Sequence, residues 1–366
     1  MQRISRVISI NLGLIIGALV LAEIVFGDWI SGQSYSVLNI PRNETRYFDV
    51  SEFIKPGKIV VYTRDQNGLR GDYGSNPANI DVLVIGGSTT NERFLDDRET
   101  WVAQLQEQFK AAGDDLFVTN AAIDGQSTRG HIKAFDLWLS KIPKLRPQYV
   151  MGYLGINDVV VGTRIHKFDE MQSPDVSRQM RQYLMNHSVF YNQFRRIRGS
   201  FEARRTRLMH GANAQITGVW MPVSEWTDPE ILRSNISQKL DDYRRRLQVL
   251  SSKIKKMGAE PIYVTQRRGD YRFVNGELET LVQEDQVTEE FVPSDESLVL
   301  MSLFNEATLA FCRERKLYCI DLAENIDLNS SDFYDAVHTL PSGSAKIADY
   351  IFTHFTQYLK HGETGK

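Results

Sequence analysis

Only two of the 366 residues are cysteine, Cys312 and Cys319. That scarcity excludes a disulfide-stapled scaffold. No Cys/His grouping has zinc-site spacing, so neither a structural nor a catalytic metal is expected. A surplus of positive charge is missing too: 43 Lys and Arg against 46 Asp and Glu leave a formal net charge of -3, which argues against nucleic acid as a partner. The runs Arg195-Arg196-Ile197-Arg198 and Arg244-Arg245-Arg246 are read as solvated helix faces. There is no internal repeat and no low-complexity tract. With 42% hydrophobic and 24% charged residues, the chain is not disordered at large and can bury a sizeable core.

One long hydrophobic run is present. Arg3 and Arg6 precede an apolar stretch from Val7 to Phe26, interrupted only by Ser9, Asn11 and Glu23. A membrane-spanning helix needs roughly 20 mostly apolar residues. Basic residues before the run and Asp28 after it predict a cytoplasmic N-terminus and an exported body. A cleaved secretory signal is the alternative, but no Ala-x-Ala site follows Ala22. Residues 1–28 are therefore read as a single-pass anchor or signal, with the remainder periplasmic or otherwise extracytoplasmic. In that compartment Cys312 and Cys319 either bridge a short loop or remain two buried thiols.

Residues 29–79 carry scattered Gly, Pro, Asn and Asp and are read as a connector packing on the main domain, which runs from 80 to 362. Asp81 to Ile85 is an apolar run of strand length, as for a parallel strand covered on both faces. Helices are expected at Arg98 to Ala112, Ser127 to Leu139, Ile236 to Met257, Leu298 to Arg315 and Ser342 to Tyr358, with Ser342 as N-cap. Further strands are expected at Leu116 to Asn120, Tyr149 to Leu154, Gln215 to Met221, Pro261 to Gln266 and Leu317 to Leu322. Residues 165–212 read as a helical insertion, and the acidic stretch from Arg267 to Ser297 as a surface loop. The alternation implies an α/β fold with a parallel sheet between helical layers, and ligands beyond the carboxyl ends of its strands.

Four short blocks fall at such places: Gly86-Gly87-Ser88-Thr89-Thr90, Asn120 to Gly125, Gly155-Ile156-Asn157-Asp158 and Asp335-Ala336-Val337-His338. Ser88 follows two glycines at a strand-to-helix turn. A P-loop would need a lysine there, and none follows. Taken singly, each block has an ordinary structural explanation: a turn, a loop glycine, an Asn bonding its own backbone, a histidine near a helix start. Asp158 is read as a cap for the segment after it. Together they supply a hydroxyl nucleophile, oxyanion donors, and a base with its orienting carboxylate, the last pair expected on one helical turn. The other histidines (131, 166, 187, 210, 354 and 361) lack such neighbours.

The set resembles the SGNH hydrolase superfamily, the GDSL-like esterases and lipases, over roughly residues 80–360. The resemblance implies a three-layer α/β/α, flavodoxin-like fold. It also implies Ser88 as nucleophile, His338 as base and acid, Asp335 as orienter, and an oxyanion hole from Ser88, Gly125 and Asn157. The first block departs from the family pattern: Gly87 stands where Asp is usual. That variant is similar to bacterial membrane-anchored members associated with cell-surface glycans. The expected activity is acyl-enzyme chemistry on O-acetyl or O-acyl groups of an extracytoplasmic polysaccharide, with no cofactor. A lipid ester or thioester hydrolase, or a non-catalytic glycan-binding assembly factor, are the alternatives.

Overall fold

The computed structural model describes residues 2–27, 29–30, 40, 42–159, 169, 176–191, 193–194, 219–223, 228–282 and 297–364. The chain divides into two compact units, Met1–Asn39 with Met171–Met209, and Ile40–Glu170 with His210–Lys366.

In the first unit, helix α1 (Gln2–Phe26) contains an 18-residue stretch, Ser9–Phe26, of mean hydropathy 2.2. It is long and apolar enough to cross a membrane. The Trp29 ring rests on Tyr183 and His187, with centroids 5.8 and 5.5 Å away. Those two lie on a helix at Val176–His187, and the Phe190 N–H donates to Glu23 at 3.2 Å. Much of the expected 165–212 insertion lies outside the described residues.

The second unit opens with an antiparallel pair, β1 (Glu44–Asp49) and β2 (Ile59–Arg64). Its centre is a five-stranded parallel sheet of β3 (Ile80–Gly86), β4 (Phe117–Asn120), β5 (Tyr149–Tyr153), β7 (Glu260–Val264) and β10 (Cys319–Ile320). The order across the sheet is β10-β7-β5-β3-β4. By sequence rank that is 2-1-3-4-5 read from the β4 edge, the flavodoxin-like arrangement. Side chains alternate across the strands. Val82, Val84, Met151 and Ile262 pack with Trp101, Leu105, Phe109, Ile351 and Phe355, from the helices Trp101–Ala111 and Pro341–Thr364. The opposite layer comprises the helices Thr128–Leu137, Ser237–Met257 and Ser297–Arg315; there Tyr243 meets Phe304, and Tyr263 meets both Ser251 and Phe311. Helix starts follow capping chemistry: Thr100 accepts from the Ala103 N–H and Ser127 from the Arg129 N–H.

The structure corrects three expectations and settles the alternative left open for the two cysteines. Strand β6 (Val219–Pro222) does not join the parallel sheet; it is an edge of a separate antiparallel sheet, paired with residues Glu279 to Val282. Pro222 lacks an N–H and suits an edge. The stretch from Arg267 to Ser297 is not simply a loop: β8 (Tyr271–Val274) and β9 (Glu277–Val282) form a hairpin around Asn275-Gly276, both with positive φ (51° and 82°). Asn-Gly favours that turn because both central residues need the left-handed region. Ser342 is no cap, since the last helix already begins at Pro341. Cys312 and Cys319 are bonded, with Cα atoms 6.2 Å apart.

Candidate active site

The Ser88 backbone turns immediately out of β3 into a single helical turn, Ser88–Asn91, entered through Gly87. The first N–H groups of such a turn have no acceptor within the helix, so they face outward. Ser88 Oγ lies 2.8 Å from His338 Nε2. Behind the imidazole, His338 Nδ1 is 2.7 and 3.0 Å from the two Asp335 oxygens.

Asp335 and His338 do not share a helical turn. They sit in a loop pinned by an isolated bridge between Phe333 and Thr339. Within it Asp335 Oδ1 accepts the N–H groups of Val337 (2.9 Å) and His338 (2.8 Å), so the carboxylate shapes the loop that carries its own partner. Burial raises the Asp335 carboxyl, but bonds from the imidazole and these N–H groups outweigh it, and the net pKa falls below the ordinary value. The Tyr334 ring stacks on the imidazole, centroids 5.5 Å apart and planes 8° apart.

The second and third blocks converge on the same place. Asn157 Nδ2 donates to the Gln126 carbonyl at 2.9 Å, next to Gly125, leaving a second hydrogen on that nitrogen. Gly125 has φ 75°, a conformation that a side chain would strain. A Cβ on Gly87 would lie 2.3 Å from Asn157 Nδ2. The Asn157 amide occupies the space that a side chain at position 87 would need. The structure thus brings Ser88, Gly125, Asn157, Asp335 and His338 together at the carboxyl ends of β3, β4 and β5, where strand order reverses.

Asp158 behaves differently from the expectation. Its buried carboxylate caps the preceding helix through Thr128 (N–H at 3.0 Å) and pairs with Arg246 at 3.1 Å. Burial raises its pKa, against Arg246 and the Thr128 bonds.

Several supporting residues carried no signal in a short motif. The buried Arg64 donates to the Ala122 carbonyl at 2.6 Å and to the Asn91 side chain, and Arg70 donates to the backbone carbonyls of Asn91, Glu92 and Leu95. Asn91 in turn holds Asp124, beside Gly125, at 2.6 Å. The connector therefore supplies one guanidinium, Arg64, that ties the Ser88 turn to the Gly125 loop, and a second, Arg70, that braces the segment following Ser88. Gln266, just past β7, donates to the Tyr153 carbonyl at 2.6 Å and accepts from the Ile156 N–H at 3.2 Å, fixing the Asn157 turn. Among the described residues, no group of three His, Cys, Asp or Glu could hold a metal ion. A cavity of about 280 Å³ lies elsewhere, among Trp220, Arg267, Arg272, Glu324 and residues 326–330, and none of the five site residues lines it.

No protein-family model and no curated protein matches this chain. Solved structures do show likeness in fold. The psychrotrophic esterase EstA from Pseudoalteromonas sp. is 12% identical at TM-score 0.40, over 76% of this chain and 98% of its own. A lipolytic protein of the G-D-S-L family from Desulfitobacterium hafniense DCB-2 is 11% identical at 0.41, over 75% and 98%. The acetyl xylan esterase AlAXEase is 14% identical at 0.39, over 75% and 99%.

Proposed function

We propose that this chain is an SGNH-type serine hydrolase or acyltransferase that uses Ser88, His338 and Asp335. The observation that carries the proposal is the 2.8 Å contact from Ser88 Oγ to His338 Nε2, with Asp335 on the other ring nitrogen. In the first step Ser88 Oγ attacks an ester carbonyl while His338 Nε2 takes its proton. Asp335, held ionised, stabilises the imidazolium and keeps the ring oriented. Negative charge gathers on the former carbonyl oxygen, toward the N–H groups of Ser88 and Gly125 and the Asn157 amide. Collapse returns the proton from His338 to the departing alcohol and leaves an acyl-Ser88. Water or an acceptor hydroxyl then reverses the sequence and frees the serine.

The substrate we propose is an O-acetyl or O-acyl group on an extracytoplasmic polysaccharide. The apolar helix preceded by Arg3 and Arg6, read as an anchor or export signal, supports it. The Cys312–Cys319 bond agrees, since such bonds persist in oxidising compartments. The test is a fluorophosphonate probe on the purified full-length protein. Labelling at Ser88, abolished by Ser88→Ala and strongly reduced by His338→Ala, is the expected result. A protein that ignores the probe and p-nitrophenyl acetate, and works in cells with Ser88→Ala, is a binding factor instead. Acetylated glycans compared with longer-chain esters then identify the acyl group.

A further inference from the structure

Glu92 ends the Ser88 turn. Its N–H bonds the Ser88 carbonyl at 2.8 Å, and its backbone is left-handed at φ 46°. The side chain is buried and reaches across to the loop of His338. Glu92 Oε1 meets Thr339 Oγ1 at 2.8 Å and also Ser344 Oγ, while those two hydroxyls lie 2.9 Å from each other. Oε2 accepts the Trp101 N–H at 2.7 Å.

Three oxygens therefore make three mutual contacts, but two hydroxyls bring only two hydrogens. A proton on Glu92 supplies the third, so that each oxygen donates to the next around a closed ring. With Glu92 ionised, both hydroxyls turn to the carboxylate and the Thr339–Ser344 contact sets lone pair against lone pair. The titratable groups that act on Glu92 are Arg70, engaged with Asp97 and with backbone carbonyls, and the phenols of Tyr153 and Tyr334. Burial pushes the carboxyl up to about 7, against the bonds from Ser344, Thr339 and the Trp101 N–H.

We propose that Glu92 is a positioning residue for the Ser88–His338 pair: as the neutral acid it closes a hydrogen-bonded ring with Thr339 and Ser344, and loss of its proton to solvent base opens the ring and loosens His338 from Ser88. Thr339 directly follows His338, and Glu92 closes the turn that begins at Ser88, so the ring is a second side-chain link between that turn and that loop, beside the Ser88–His338 contact itself. This rests on the serine-hydrolase reading above.

The experiment measures fluorophosphonate labelling rates at Ser88 from pH 6 to pH 9, for full-length wild type, Glu92→Gln and Ser344→Ala. A single ionisation near 7 that inactivates the site cuts the wild-type rate about tenfold by pH 8. Glutamine is neutral throughout and can both donate and accept, so Glu92→Gln loses that alkaline fall and exceeds the wild type about tenfold at pH 8. Ser344→Ala removes one of the three oxygens, so the ring cannot close at any pH and the variant labels slowly throughout, without the alkaline fall; it reports independently if Glu92→Gln does not fold. Parallel profiles with labelling intact, or an alkaline fall retained in Ser344→Ala, overturn the role of Glu92. Absence of wild-type labelling at every pH overturns the hydrolase reading itself, and this inference with it.

Discussion

Gly87 and Asn157 share one space: a Cβ on the glycine would sit 2.3 Å from the asparagine's Nδ2. Replacing Gly87 by Asp should therefore damage this site. The new side chain pushes the amide off the Gln126 carbonyl. Loss of one oxyanion donor costs about 10²–10³-fold in turnover, so Gly87→Asp and Asn157→Ala should each slow ester hydrolysis by that order. Because both act on one group, the double variant should be little worse than either. Normal activity in a folded Gly87→Asp would reject the contact.

Asp335 both shapes its loop, through the Val337 and His338 N–H groups, and faces the imidazole. Asparagine can keep a carbonyl acceptor for the two N–H groups, yet it cannot stabilise an imidazolium. Asp335→Asn should leave thermal stability close to wild type while kcat falls by about 10⁴ with KM little changed. Circular dichroism melts beside steady-state kinetics on p-nitrophenyl acetate separate the two roles.

Arg64 joins the Ala122 carbonyl to the Asn91 side chain from within the interior. Methionine there keeps much of the packing but strands buried acceptors, each worth about 1–3 kcal/mol when left unpaired. Arg64→Met should therefore lower unfolding free energy by a few such increments and slow Ser88 labelling, since the turn and the Gly125 loop lose their common tie. Urea unfolding on the same preparations measures the first effect. Unchanged stability would show that the guanidinium is dispensable.

The blocks around Ser88, Gly125, Asn157 and His338 were legible because each is a local signal at a strand end or beside a helix start, where backbone geometry restricts residue type. The sheet was legible for the same reason, since its buried strands read as unbroken apolar runs. Arg64, Arg70, Glu92 and Gln266 were not. Their work is done across long chain separations, Glu92 to Thr339 being 247 residues, and a lone charged residue in sequence looks like solvated surface. The β8–β9 hairpin is another matter. Asn275-Gly276 announces it, but the surrounding acidic residues suggested a loop and hid the strand alternation.

The buried Glu92 contributes a pH dependence to stability that a comparison of wild type with Glu92→Gln isolates. Its carboxyl titrates near 4.5 in the unfolded chain and at about 7 in the folded one. Between those values the native state holds a proton that the unfolded chain has released, so stability declines as pH rises. The contribution is fully present below 4.5, is lost progressively up to 7, and amounts to about 3 kcal/mol. His131 acts in the opposite sense: burial lowers its imidazole from 6.5 to about 3, so its effect is to destabilise as pH falls. The two slopes overlap in the wild type alone, but the difference between wild type and Glu92→Gln cancels His131. Urea unfolding of both at intervals from pH 4.5 to 7.5 should give a gap that shifts by about 3 kcal/mol in favour of the variant toward the alkaline end. A constant gap would mean that Glu92 ionises alike in both states and holds no proton in the fold.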